Sequence, residues 1–323
     1  MRVLLTGASG LLGHNIIDVL LERNLEINAI VRRPEKLCLH NKKLKVFKGD
    51  FMNLTHLLQA AKNCDSIIHV ASETDMSLDY AGFEKVNVRG SEVLLKVANK
   101  LSINNIVYIS TANTIGYGTL QKKSTELDPI QYPFSESYYA QTKALAEKLF
   151  VDEAKRNPDK HIVILNPGFM LGAFDTKPSS GALVLAAYKK PLMFAPKGGK
   201  CFIHVRDVAF AAADALHKGK SGEKYLLGNY NLSIYDFYKI QSKVCDYKQV
   251  LFKLPNTMAL IFGYMGDGLR KLGLKTSLSS NNIRQLCVLQ YYDNSKAVEA
   301  LDLHNTPLET TILDSVHWLK HDS

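Results

Sequence analysis

The chain is short of the features that mark secreted, metal-bound and membrane-spanning proteins. Its five cysteines are Cys38, Cys64, Cys201, Cys245 and Cys287. The count is odd, no CxxC spacing occurs and no histidine cluster accompanies them. That excludes a disulfide framework and a zinc site, and predicts free or buried thiols in a reducing compartment, with no metal bound. No apolar run approaches the roughly 20 residues that a bilayer span requires; the stretch over 258–265 is far too short. The first strand-like run starts at Arg2, so no signal peptide is expected ahead of it. A cytoplasmic protein without a membrane partner follows as the expectation.

A dense basic stripe is missing too, although the net charge is +9. The closest approaches to one are Lys42, Lys43, Lys45 and Lys48, and the pair Lys122 and Lys123. No aromatic side chains alternate with them, so nucleic acid is not expected as a partner. A phosphorylated cofactor and an anionic substrate account for part of the positive balance, and solvated lysines for most of it.

What is present is an alternating pattern. The 323 residues, 46% hydrophobic and 22% charged, suit a globular chain that buries a full core without staples. Strand-like runs fall at 2–6, 27–31, 44–47, 66–70, 106–110 and 161–165. Helical periods lie over 11–23, 54–62, 83–101 and 137–155. Strands apolar on both faces and separated by helices predict an α/β fold, with a doubly wound parallel sheet. From Pro167 to Gly199 proline and glycine cluster and the regularity drops. The expected division is a cofactor-binding Rossmann domain over 1–166 and a smaller substrate-binding subdomain over 167–323. The strand-like pieces at 202–205 and 224–227 either rejoin the main sheet or cover it. No internal repeat is visible.

The run Thr6-Gly7-Ala8-Ser9-Gly10-Leu11-Leu12-Gly13 directly follows the first strand and opens a helix. Glycines at 7, 10 and 13 let the backbone turn sharply, approach a pyrophosphate and pack against the sheet. The helix N-terminus then offers free N–H groups and partial positive charge to phosphate. At the tip of the second strand, where a carboxylate would receive the ribose hydroxyls of NAD, stand Arg32 and Arg33. Two guanidiniums suit a 2′-phosphate, so NADP(H) is expected over NAD(H).

Tyr139 and Lys143, spaced i, i+4, share one helix face. A phenol titrates near 10, and an ammonium beside it lowers that value, so the tyrosine can exchange a proton with a carbonyl oxygen. Tyr138 competes for the role, but Thr142 is its i+4 neighbour and carries no charge.

The G-x-x-G-x-x-G loop with YxxxK resembles the extended short-chain dehydrogenase/reductases. Within them it resembles the dihydroflavonol-4-reductase-like branch of the NAD(P)-dependent epimerase/dehydratase group. The likeness extends through Asn166-Pro167-Gly168, His204 to Ala209, and Asp293 to Leu319. It implies a catalytic hydroxyl at Thr111, with Ser110 as the neighbour, and a role for Asn87 on the central helix. It also implies that Asp50 and Phe51 meet the adenine, that Val70, Ala71 and Ser72 lie along the cofactor, and that Asn166, Pro167 and Gly168 lie beside the nicotinamide. His69 is expected to be structural. Glu73, Asn113, Phe169, Met170 and Tyr291 are candidate substrate contacts. The branch implies reduction of an aldehyde or ketone to an alcohol, and a homodimer built on the two long helices. Dehydratases of the group carry an Asp-Glu pair after the Ser/Thr; Ala112-Asn113 stands here instead. A nucleotide-sugar epimerase with tightly held NAD, or a non-enzymatic NADP(H) sensor, are the alternatives.

Overall fold

Seven parallel strands form the central sheet of the computed structural model, in the order β3-β2-β1-β4-β5-β6-β10. The described residues are 1–323 without 38, 76–78, 275–278 and 323, and without the side chains of Lys271 and Asp322. The thiol expectation for Cys38 therefore lies outside the described residues. The strands are β1 (Arg2–Thr6), β2 (Glu26–Val31), β3 (Leu44–Lys48), β4 (Ser66–His69), β5 (Asn105–Ile109), β6 (His161–Pro167) and, after three strands of a second region, β10 (Lys224–Leu227). Both faces are covered, and alternation along β1 shows how. Val3 and Leu5 pack with helices α1 (Leu11–Glu22) and α7 (Val205–Asp214), while Leu4 packs on the other side. That side carries α2 (Leu54–Ala61), α4 (Gly90–Lys100) and α5 (Tyr138–Arg156). Ala209, Ala211, Ala212 and Ala213 let α7 sit close against its neighbours.

The expected helix over 83–101 is broken. A short helix α3 (Tyr80–Glu84) passes through a π turn at Lys85–Arg89 into α4. The turn carries Asn87, which is buried and bonded away from the helix. Wide turns of this kind arise where a side chain must be placed off the regular register.

The second region holds β7 (Phe169–Leu171), β9 (Gly199–His204) and β11 (Tyr230–Ser233) in one small sheet, and β8 (Leu192–Pro196) with β12 (Val250–Leu254) in another. Its helices are α6 (Gly181–Ala187), α8 (Ile234–Val244), α9 (Asn256–Lys271), α10 (Ser280–Leu286), α11 (Ser295–Leu301) and α12 (Leu308–His317). A core of Leu171, Val184, Phe202, Phe237, Ile312 and Leu319 holds much of it together. Residues 224–227 rejoin the main sheet as β10, parallel to β6, whereas residues 202–204 stay in the small sheet. The chain thus crosses back after residue 167.

Candidate active site

The glycine loop joins β1 to α1. Gly7 has φ +73°, and a Cβ there would lie 2.7 Å from the Ala71 nitrogen. At Gly13 a Cβ would lie 2.1 Å from the Gly7 carbonyl oxygen. Both are glycine because the loop, helix and neighbouring strand touch. Gly10 differs: a Cβ there would meet nothing nearer than 3.5 Å. It caps α1 without a side chain, and no acid occupies the first turn, so Ser9, Gly10, Leu11 and Leu12 leave a positive helix end open to an anion. These features fit a dinucleotide phosphate. Behind the loop, Thr6 Oγ1 meets His69 Nδ1 at 2.7 Å and accepts from the Ala71 amide at 3.2 Å. Burial and the Lys143 charge pull His69 down to about 3, so it is a neutral tie between strands.

Arg32 and Arg33 follow β2 and are exposed, and neither makes an ion pair among the described residues. Asp50 turns its carboxylate onto the Met52 amide at 3.0 Å. Phe51 packs beside Gly90 and lies 5.5 Å from the His69 ring, so part of its face is spent on the core. Val70, Ala71 and Ser72 leave β4 half-buried next to the loop.

The helix α5 begins at Tyr138, whose ring is 48% exposed, and turns Tyr139 inward. The neighbouring Thr111 hydroxyl favours the phenolate, but burial dominates and pushes Tyr139 up to about 12. This corrects the expectation of a lowered phenol. Lys143 is committed elsewhere: its Nζ donates to the Ile109 carbonyl at 2.7 Å and lies 4.3 Å from the centre of the Tyr108 ring. Burial pulls Lys143 down to about 7, with Glu147 pushing the other way.

Glu147 organises the strand ends and was not singled out in the sequence. Its Oε1 accepts from Ser110 Oγ at 2.6 Å, Thr114 Oγ1 at 2.5 Å and Asn166 Nδ2 at 2.5 Å. Its Oε2 pairs with Lys224 Nζ at 3.1 Å. Ser110 therefore faces Glu147, and Thr111 is the hydroxyl left beside Tyr139. Asn166 Nδ2 points inward, donating to the Thr111 carbonyl at 3.1 Å, so this end of its amide braces the site. Gly168 packs against Cys201, and Pro167 is buried. Asn87 is a brace as well. Its Oδ1 accepts from the Glu73 amide at 2.8 Å, and its Nδ2 donates to Thr142 Oγ1 at 3.0 Å.

A cleft of ≈ 170 Å³ opens beside Tyr139, bounded by Phe83, Ser137, Asp267, Arg270, Asn281 and Asn282 among others. None of the five expected substrate contacts lines it. Glu73 caps its own loop through the Thr74 and Asp75 amides. Asn113 Oδ1 accepts from Gln290 at 3.0 Å. Phe169 packs edge-on to Phe202, and Met170 packs against the sheet core. Tyr291 is buried against Gly199, where a Cβ would stand 2.6 Å from its hydroxyl. Gln290 continues to Lys200, a buried amine that also donates to the Gln285 carbonyl and is pulled down to about 7 by burial. Signals for these groups were faint. Glu147 lies i+4 from Lys143, but an acid on a helix reads as solvated. Asp267, Arg270, Asn281 and Asn282 stand over 120 residues from Tyr139 in the chain.

Comparison with known proteins places this geometry. Residues 3–228 match the model of the "NAD dependent epimerase/dehydratase family". A Synechocystis protein described as "Putative dihydroflavonol 4-reductase" is 29% identical, over 98% of this chain and 94% of its own. The decarboxylating sterol-4-alpha-carboxylate 3-dehydrogenase of Candida albicans is 28% identical, over 99% and 98%. The crystal structure of gox2253 superposes with a TM-score of 0.82 at 24% identity, over 99% and 98%, a likeness of fold. The chain belongs to the NAD-dependent epimerase/dehydratase family, and is an NAD(P)-dependent oxidoreductase of the extended short-chain dehydrogenase/reductase type.

Proposed function

We propose that the protein reduces an aldehyde or ketone to an alcohol with NADP(H), as a dihydroflavonol-4-reductase-like enzyme. The observation that carries this is Tyr139, held at the cleft with Thr111 beside it and burial keeping its proton on. At about 12 the phenol keeps its proton at neutral pH; burial makes it a weaker acid than a free phenol, so the proton passes to the carbonyl oxygen only as hydride arrives and that oxygen becomes strongly basic. Thr111 Oγ1 is placed to steady the charge that develops on that oxygen. Lys143 fixes the end of β5 through the Ile109 carbonyl and, with its remaining donors, would hold the sugar hydroxyls of a bound nucleotide. The nicotinamide, when bound, supplies the hydride.

Gly7 through Gly13 and the start of α1 hold the pyrophosphate in this reading, with Asp50, Phe51 and residues 70–72 along the adenosine side and residues 166–168 on the nicotinamide side. Arg32 and Arg33 receive the 2′-phosphate, which is the support for NADP(H). The half-buried amide at Asn113, where a dehydratase of the group has an acid, supports net reduction over water elimination.

Nucleotide titration followed by nicotinamide fluorescence tests the reading. Tighter binding of NADPH than NADH is expected, with the preference lost in an Arg32→Ala/Arg33→Ala variant. A panel of aldehydes and ketones then reports NADPH oxidation, and Tyr139→Phe is expected to lower turnover by roughly 100- to 10,000-fold with nucleotide binding retained. Tightly held NAD in the purified protein would favour the epimerase alternative instead.

A further inference from the structure

Helix α9 is built inside out. Its buried positions are Ala259, Gly263 and Gly266. They pack on α10 so closely that a Cβ at Gly263 would lie 2.8 Å from Ser280 Cα. The large apolar side chains point the other way. Met258 is 50% exposed, Ile261 58%, Phe262 48%, Met265 59% and Leu269 40%. Their positions recur at i, i+3, i+4, i+7 and i+11, one continuous stripe along the helix. Rolling the helix to bury that stripe is blocked, because the tight contact with α10 needs the small residues where they are.

The strand that leads into α9 behaves alike. In the pair of β8 with β12, Leu192 stands opposite Val250 and Phe194 opposite Phe252. All four are exposed, and the two phenylalanine rings stack at 5.6 Å. Only Pro255 separates β12 from α9. So much exposed apolar surface within one part of a chain marks a binding face.

Charge indicates what covers it. The segments beside these side chains carry the exposed Lys189, Lys190, Lys197 and Lys248 against Asp246. Apolar side chains framed by lysines suit a surface of anionic headgroups over hydrocarbon. The core of a protein–protein interface is, by contrast, depleted of lysine. We propose that α9 and the β8–β12 pair dock this protein onto the surface of an anionic lipid bilayer. The docking is peripheral, since no helix among the described residues is long and apolar enough to cross one. It departs from the sequence-based expectation of no membrane partner, which considered residues 258–265 only as a span.

The same helix lines the Tyr139 cleft with Asp267 and Arg270. A docked α9 therefore stands between the lipid and the cleft and keeps them one helix width apart, ~10 Å, and the carbonyl substrate is of the lipophilic class that partitions into membranes. This second clause rests on the reductase reading; docking itself does not.

Sedimentation of the full chain with vesicles tests the proposal. Binding is expected to mixed phosphatidylcholine–phosphatidylglycerol vesicles, weakened by salt, and to be at least about tenfold weaker on phosphatidylcholine alone. Ile261→Asp/Met265→Asp is expected to lower the partition by about tenfold or more, with the melting temperature and nucleotide binding unchanged. Lys197→Glu/Lys248→Glu is expected to weaken binding to the anionic vesicles while leaving fold and nucleotide binding intact. Wild-type protein that stays in the supernatant with both lipids overturns the proposal, as does an Ile261→Asp/Met265→Asp variant that binds as well as wild type. Absence of vesicle binding together with a dimer that the aspartate variant splits would assign the face to a second copy. Vesicle binding by a chain that reduces no carbonyl would keep the docking and remove the reductase reading; Tyr139→Phe is expected to bind vesicles as wild type does.

Discussion

Replacing Glu147 should separate its two tasks, gathering hydroxyl and amide donors and setting the charge beside Lys143. Alanine removes the acceptor of three short hydrogen bonds, from Ser110 at 2.6 Å and from Thr114 and Asn166 at 2.5 Å. Thr114 and Asn166 keep a second acceptor in the Thr111 carbonyl, at 2.9 and 3.1 Å. Ser110 is left among the described residues with only the neighbouring Tyr108 hydroxyl, and a buried hydroxyl without its acceptor costs about 1–3 kcal/mol. With the broken Lys224 pair and the space left behind, Glu147→Ala should cost about 3–5 kcal/mol. Glutamine retains Oε1 for all three donors and forfeits only the pairing of Oε2. Lys224 is 31% exposed, so water screens that loss and it should amount to about 1 kcal/mol. Both variants remove the negative charge that holds Lys143 up, so both should move its titration below about 7. Urea unfolding measures the first quantity, and lysine NMR with carbon labelling follows the second. Equal destabilisation by alanine and glutamine would refute the hydrogen-bond account, and an unmoved Lys143 titration would refute the electrostatic one.

The neighbouring hydroxyls should part company in kinetics: Thr111→Ala should lower kcat about 100-fold or more, with about 1 kcal/mol lost in urea stability as the Asn113 amide loses its cap. Ser110→Ala should instead cost about 1–2 kcal/mol and keep most of the turnover, and the reverse pattern would reassign the catalytic hydroxyl. Within the glycine loop, Gly13→Ala should destabilise by about 2–3 kcal/mol or more, since its methyl collides with the Gly7 carbonyl. Gly10→Ala should fold normally and weaken only nucleotide binding, which calorimetry would show; unchanged affinity would place the phosphates elsewhere. Stability should also climb with pH. Lys143 and Lys200 titrate at about 7 when folded against an ordinary 10.5, so between those values the unfolded chain holds more protons and raising pH favours the fold. Each lysine contributes a slope of about 1.4 kcal/mol per pH unit, which vanishes below about pH 7. Lys200→Met should remove one such slope in urea unfolding from about pH 7 to 9, and a wild-type-minus-variant difference independent of pH would contradict the burial argument.

The sheet and the cofactor loop could be read in the sequence because their signals are local. Strands buried on both faces are apolar throughout, and a glycine whose Cβ would strike the Gly7 oxygen has no substitute. Tyr139 and Lys143 are likewise joined by one helical turn. Other parts depend on partners distant in the chain. Asn166 reads as a cofactor contact, yet its direction is set by Glu147 and Thr114. Asn87 reads as part of an even helix, while its bonds to Glu73 and Thr142 coincide with a π turn. The cleft wall facing Tyr139 comes from α9 and α10, whose composition announces no chemistry. Tyr291 looked available to a substrate, but the absence of a side chain at Gly199 lets its ring fill the interior.

The return of the chain to place β10 beside β6 has a bearing on synthesis. Until residue 227 has left the ribosome, β6 is the open edge of a growing parallel sheet, with its backbone groups unpaired. Some sixty residues of less regular chain must emerge first, a period when that edge is exposed to other chains. A fragment ending near residue 166 would keep the edge permanently open and leave Glu147 without Lys224. Exchange of substrate regions between relatives should therefore preserve residues 205–227 with the sheet and cut within the loops on either side.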